Sequence, residues 1–197
     1  KNYFKTAWRN LVRNPKISII NIGGLAIGLT CAIVLYLYAE SEFGYDTFYK
    51  DANRIYRVYT HISLNGAESN SAKSSPPAAY ALRNDIPEGQ ASTLVGYEAS
   101  YNMKYGEKVF REHRVYTADS NYFKVFDHPL LKGNAATALT KPNTVVITET
   151  TAKRYFGNAD AVGKQLIIND SGSLMVSAVM TDFPSNSHFN ADMFLSL

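Results

Sequence analysis

The side chains of this chain that could do chemistry are four histidines, one cysteine and a scatter of carboxylates and hydroxyls. His61, His113, His128 and His188 stand far apart. They lack the close pair spacing of zinc ligands and have no cysteine partner. The stretch GNADAVGKQ at 157–165 has the outline of a phosphate loop. That motif needs four residues between its glycines and a Ser or Thr after the lysine. Here five residues separate Gly157 from Gly163, and Gln165 follows Lys164. The order is also inverted, because Gly157 ends a helical pattern where a phosphate site starts one. Asp182, Ser185 and His188 fall together in MTDFPSNSH. A hydrolase triad is assembled from distant segments around an oriented nucleophile, whereas residues 184–187 are turn formers. No GxSxG elbow occurs. These patterns give no catalytic, cofactor or metal site, and an enzyme is not expected.

The element that positions everything else is apolar. Residues 17 to 39 form 23 consecutive positions without Asp, Glu, Lys or Arg. As a helix at about 1.5 Å per residue, this run covers a hydrocarbon core of about 30 Å with some tilt. A cleaved signal peptide has a shorter apolar core, about 7–15 residues, ending at small residues. The exit here reads Leu37, Tyr38, Ala39, Glu40, so a retained transmembrane helix is expected. Cys31, preceded by Thr30 and with Gly28 three before it, does not fit a lipoprotein signal and reads as a membrane-buried thiol. Gly24 and Gly28 form a GxxxG pair, and Ala32 continues the same face. Small residues four apart let a second helix approach closely in lipid. Asn21 and Thr30 add polar groups that favour a protein neighbour over lipid.

Lys1, Lys5, Arg9, Arg13 and Lys16 precede the span with no acidic residue among them, while Glu40, Glu42 and Asp46 follow it. Basic flanks stay in the cytoplasm, so the N-terminus is placed inside and the larger part outside. The chain carries +3 overall and its first 16 residues +5, which leaves −2 for the remainder. The basic balance therefore belongs to the membrane flank, and nucleic acid is not a partner. Phe4, Trp8, Leu11 and Val12 recur at helical spacing between Lys5, Arg9 and Arg13, and Asn14-Pro15 interrupts them. The pattern suits an amphipathic helix on the cytoplasmic surface with Trp8 at headgroup depth. It is an anchor, or a coupling element on which a cytoplasmic partner could push.

From about residue 46 the chain reads as one mixed α and β domain of about 150 residues, enough for a packed core. Asp46 is placed to cap a short turn over 47 to 52. Residues 54 to 62, RIYRVYTHI, alternate as a half-buried strand does, and 63 to 75 read as a loop. Ser75-Pro76-Pro77 opens a helix that Pro87 closes. Extended segments at 91–104 and 108–116 meet near Gly106. Asp119 caps a short helix carrying Tyr122, Phe123 and Phe126. A strand at 144–147 leads through the cap Thr148 into a helix, Glu149–Phe156, which Gly157 ends. A hairpin-like pair, 164–169 and 174–180, follows. The 14 tyrosines and 10 phenylalanines are core packing by default. Tyr97, Tyr101 and Tyr105 could line a partner surface or brace a sheet. The chain stops inside the apolar stretch MFLSL, so a closing part of the domain and any later spans are expected beyond residue 197.

AWRNLVRNPKISIINIGGLAIGL resembles the opening of the MacB/FtsX-like ABC transporter permeases, in their long Bacteroidetes form. So do YDTFYKDANRIYRV, TADSNYFKVFDHPLLKGNAATAL, VVITETTAKRYFGNADAVGKQL and TDFPSNSHFNADMF, in the same order over nearly the whole chain. One departure is Glu88-Gly89, where the family has an apolar residue after the glutamate. The resemblance implies an α+β protein. Residues 1–16 would be a cytoplasmic surface helix, 17–39 a transmembrane helix, 40–53 a connector and 54–197 a periplasmic core domain. That domain would combine a porter-like βαβ part with an inserted β-rich part. The resemblance also implies an inner-membrane permease with no cofactor of its own. A separate cytoplasmic ABC ATPase would hydrolyse ATP, and motion of the outer domain would expel or hand over a substrate. Further partners implied are a second permease copy and periplasmic or outer-membrane proteins. In that scheme Gly24, Gly28 and Ala32 pack in the membrane. Lys5, Trp8, Arg9, Arg13 and Lys16 anchor or couple on the cytoplasmic side. A membrane-bound sensor with an extracytoplasmic ligand domain fits the same span and domain. A membrane-tethered enzyme would need the catalytic cluster that the sequence lacks.

Overall fold

The computed structural model describes residues 2–86, 89 and 91–197. It divides into two compact units, one ending at Tyr45 and one running Asp46–Leu197. Pro87 and Glu88, named above as a helix stop and a family departure, lie outside the described residues.

The first unit is two helices, α1 (Asn2–Arg13) and α2 (Pro15–Phe43). Asn14 makes the bend between them. Pro15 opens α2 at a position where its missing N–H is harmless. The joint is bonded across: Ser18 Oγ donates to Leu11 O at 2.9 Å, and Ser18 N to Asn14 O at 3.0 Å. α2 has 29 residues, about 44 Å at 1.5 Å per residue, so it outlasts the apolar run by a full turn. Gly44 N closes it on Glu40 O at 3.1 Å. Among the described residues α2 is the one helix long and apolar enough to cross a membrane. Its large apolar side chains stand exposed along its length, as a lipid-facing surface requires. Thr30 needs no protein neighbour after all. Its hydroxyl donates to Ala26 O at 2.8 Å within the helix, the usual way a mid-helix threonine is satisfied.

The second unit is built on a mixed sheet. Its strands are β3 (Ala99–Tyr105), β4 (Lys108–Ala118), β5 (Leu130–Lys132), β6 (Thr144–Thr148), β7 (Gln165–Ile168), β8 (Gly172–Met180) and β9 (Met193–Ser196). The order is β5-β8-β6-β9-β4-β3-β7, and β7 pairs again with β8, so six strands close into a ring with β5 appended. β6 and β8 run parallel, with α5 (Glu149–Phe156) in the connection between them. This is the expected βαβ unit. Thr148 Oγ1 accepts from Thr151 N at 3.3 Å and Gly157 ends the helix at φ +61°, so the cap and stop read from the sequence are the ones used.

Side chains alternate between two cores. Val145, Ile147, Met193 and Leu195 join Tyr155 and Phe156 of α5 in one. Val146 and Phe194 join Tyr122 and Phe123 of α4 (Tyr122–Phe126) in the other. Pairing on β8 jumps from Val145↔Val176 to Val146↔Ala178, a bulge at Ser177. Beyond that bulge Ala178 and Met180 face the second core, whereas Leu174 and Val176 face the first. Gly133 (φ +93°) ends β5 so close to β8 that a Cβ there would lie 2.6 Å from the Ala178 Cβ.

The N-terminal part of this unit departs from the sequence reading. Residues 55–59 form no regular strand; β1 is Thr60–Leu64, and it pairs with β2 (Ala67–Ser71), which the sequence reading treated as loop. The signal was present: Asn65 and Gly66 take φ of +50° and +81°, the conformation of a two-residue hairpin turn. β1 is also exposed rather than half-buried. Of the segment 91–98, Val95 makes one bridge to Ala118. β5, to which the sequence reading assigns no element, and β9, which it gives only as a terminal apolar stretch, are sheet strands. α3 (Pro76–Asp85) begins where Ser75-Pro76 predicted.

Candidate functional site

The chemical candidates scatter. His61 Nδ1 meets Asn70 Oδ1 at 2.8 Å and His113 Nδ1 meets Ser100 Oγ at 3.0 Å, both as local sheet contacts. Asp182 accepts from Thr150 N at 3.2 Å and Thr150 Oγ1 at 2.6 Å. His188 instead pairs with Asp46, so Asp182, Ser185 and His188 do not form a triad. Gly163, in the stretch that mimics a phosphate loop, takes φ +84° and donates its N–H to Val176 O at 2.8 Å, a turn that feeds β7. Among the described residues no group of three or more His, Cys, Asp or Glu could hold a metal ion.

The constellation that the sequence did not reveal lies where the chain begins its outer domain. Asp46 takes a left-handed φ of +54°. Its N–H donates to Asn186 O at 2.9 Å. Its Oδ1 accepts from Ser187 Oγ at 3.2 Å and from His188 N at 3.0 Å. Its Oδ2 accepts from His188 Nδ1 at 2.7 Å, which fixes that nitrogen as the protonated one. Asp46 is therefore not the cap of a local turn. It is a clasp on a loop about 140 residues away, and a separation of that size leaves no local pattern to read. Three residues on, Tyr49 is 5% exposed. Its ring lies 5.3 Å from that of Phe126, which in turn sits 5.1 Å from Phe189. Burial pushes the Tyr49 hydroxyl up to about 12. The loop 186–189 leads into β9, and Asp192 N donates back to Arg114 O at 2.8 Å while its carboxylate takes Arg114 in a two-point bond (2.7 and 3.0 Å). The clasp is thus wired to the middle strands of the sheet.

A second buried polar group braces the opposite core. Glu112 on β4 is 2% exposed and accepts from Arg154 Nη2 and from the Tyr155 hydroxyl, each at 2.6 Å. Burial first, then the Glu112 carboxylate, hold the Tyr155 hydroxyl far above its ordinary range. Lys108 Nζ adds bonds to Arg154 O (3.0 Å) and Tyr155 O (2.8 Å), so β4 grips the last turn of α5. The tyrosine trio splits. Tyr101 and Tyr105 pack against the first core, whereas Tyr97 is exposed under the Lys73 ammonium, 4.5 Å from its ring centre.

In the helical unit, Lys5, Trp8, Arg9 and Arg13 lie on α1 and Lys16 in the first turn of α2, all exposed. Gly24, Gly28 and Ala32 lie exposed on α2, and a Cβ at either glycine would meet nothing within 4 Å. This open surface leaves room for another helix.

An apolar helix of membrane-crossing length thus precedes a larger mixed α+β domain. The family follows from comparison: the MacB-like periplasmic core domain profile matches residues 18–197, and the chain belongs to that family. The resemblance read from the sequence is borne out. A domain of a protein assigned as a permease from Porphyromonas gingivalis is 25% identical and superposes with a TM-score of 0.59, over 66% of this chain and 55% of that one. The periplasmic region of MacB from Actinobacillus actinomycetemcomitans gives 20% identity and 0.47, over 61% and 54%. The extracellular domain of the noncanonic ABC-type transporter YknZ from Gram-positive bacteria gives 14% and 0.48, over 62% of each chain. The chain thus spans little more than half of the first two solved relatives. No curated protein matches the sequence.

Proposed function

We propose that this chain is the first span and outer domain of an ABC transporter permease of the inner membrane, with its N-terminus cytoplasmic and its main domain periplasmic. The family membership and the permease assignment of the Porphyromonas gingivalis relative support this reading. A separate cytoplasmic ATPase hydrolyses ATP, and motion of the outer domain expels or hands over a substrate, with a second permease copy and periplasmic or outer-membrane partners completing the machine. Lys5, Trp8, Arg9, Arg13 and Lys16 receive the push at the cytoplasmic surface. Gly24, Gly28 and Ala32 let α2 shift against a neighbouring helix.

The observation that carries the mechanism is the Asp46 clasp. Only Gly44 and Tyr45 separate the end of α2 from Asp46, and Asp46 is bonded to the loop that leads into β9. In this reading the Asp46 bonds pass displacement arriving along the chain to the loop before β9. The test is to isolate the full-length protein from native membranes in mild detergent. A stoichiometric ABC ATPase is expected, lost when Lys5, Arg9 and Arg13 are made acidic. Gly24→Leu with Gly28→Leu should abolish transport and leave ATP binding intact. Repeated isolation with a kinase and no ATPase would replace the permease with a sensor.

A further inference from the structure

We propose that the basic row on α1 is a binding surface for anionic phospholipid headgroups, so that this helix selects a negatively charged leaflet and not merely a membrane. At 3.6 residues per turn, Phe4, Trp8, Leu11 and Val12 fall on one side of α1. All four are exposed. The bond from Ser18 Oγ to Leu11 O holds the end of α1 at the start of α2. An apolar helix face joined to a membrane-length helix is covered by the lipid that surrounds that helix.

The charges are placed for that lipid. Lys5, Arg9 and Arg13 stand four residues apart, which sets them in one row along the helix. The row borders the apolar face on the side of Trp8 and Val12. The other side, at Thr6 and Asn10, is uncharged. Keeping an N-terminus in the cytoplasm needs only a count of Lys and Arg near the span. It does not need them in a row beside a tryptophan. Basic side chains at the border of an apolar face lay their stems along it and bring their charges to headgroup depth.

These charges have no counter-charge in their own unit. Residues 1–39 contain no Asp or Glu. Among the described residues none of Lys5, Arg9, Arg13 and Lys16 makes an ion pair. Glu40 stands 24 positions beyond Lys16 on α2, about 36 Å along the axis, or more than four Debye lengths at about 8 Å each. A cluster of about four to eight Lys and Arg beside a span is what an anionic leaflet attracts. An acidic protein would have to bring its carboxylates to headgroup depth, where phosphodiesters already stand.

The inference rests on the span of the permease reading and not on its ATPase. Trp8 is the single tryptophan of the chain, so its fluorescence reports α1 alone. The test reconstitutes the 197-residue chain in vesicles of phosphatidylcholine and phosphatidylglycerol, with bromine on the acyl chains of one lipid or the other. Brominated phosphatidylglycerol is expected to quench Trp8 as if enriched about fivefold around α1, the attraction of one basic residue at an anionic surface. Salt raised to about 1 M should reduce that preference. Lys5→Gln with Arg9→Gln and Arg13→Gln should make the two lipids quench alike. Equal quenching in the unsubstituted chain overturns the proposal and leaves the permease reading standing. A preference that survives salt or the triple substitution overturns it too. A chain that does not float with the vesicles overturns the span as well. Equal quenching, with an ATPase captured from native membranes by the unsubstituted protein and lost in the triple variant, gives the row to a protein partner instead. The salt measurement uses the unsubstituted chain and decides the matter even if the triple variant cannot be prepared.

Discussion

Two stretches of this chain have the sequence of a strand, and only one is buried. Residues 144–148 are buried at every position, between β8 and β9. Residues 54–62 alternate apolar and polar as a half-buried strand does, yet Tyr56 is 84% exposed and Tyr59 64%, and β1 pairs with β2 alone. Alternation reports that a segment suits a pleated surface; it does not report whether a second layer covers that surface. A two-stranded hairpin is marginal by itself. The two regions should therefore differ sharply in what they contribute to stability.

The largest effect is expected at Phe194, fully buried on the central strand β9. Phe194→Ala should cost about 3–5 kcal/mol in chemical denaturation. Next is Arg154→Ala, which strands the buried Glu112 carboxylate. The arginine is itself partly exposed, so the loss should fall below the full range for a broken buried pair, at about 2–3 kcal/mol. Asp46→Ala removes the clasp and places a Cβ-bearing residue without local bonds at positive φ. About 1–2 kcal/mol should be lost, with hydrogen exchange accelerated at 186–189 and unchanged in β1–β2. A pH effect is smaller. Burial lowers the His128 pKa from 6.5. The folded state thus resists a proton that the unfolded chain accepts, so stability is complete above 6.5 and declines as pH falls below it. Melting curves from pH 8 to 5 should show that decline in the parent chain and a flatter profile in His128→Phe. The smallest change is expected in the exposed hairpin, where Ile62→Ser with Leu64→Ser should stay within about 0.5 kcal/mol per site. A large loss there would mean that the hairpin face is covered.

What could be read from sequence was local. The long apolar helix, the Pro15 break, the Ser75-Pro76 start and the Thr148…Gly157 helix all depend on neighbours within a few residues, and all appear in the structure. The Asn65-Gly66 turn is equally local, but its Ser/Asn-rich setting reads as loop. β9 was hidden for a different reason. Four residues at the end of an apolar stretch become a central strand only because β4 and β6 offer facing edges. The Asp46 clasp was hidden by distance, since Asp46 and His188 join ends of the domain that no periodicity connects. His128 was visible as a residue, but its burial is a property of the fold around it.

The closed ring of six strands has a consequence for company. A protein crowded in two dimensions with copies of itself risks exchanging strands wherever an edge lies open. Here the ring spends both edges of each of its strands internally for at least part of their length, and β5 adds only three residues of outer edge. The backbone edges left to another chain are those of β1–β2, the outer side of β5, and the stretches of β3 and β4 that run beyond their pairing with β7 and β9. Strand exchange between neighbouring copies is thereby limited to these edges, while the rest of the ring meets other molecules through its side chains.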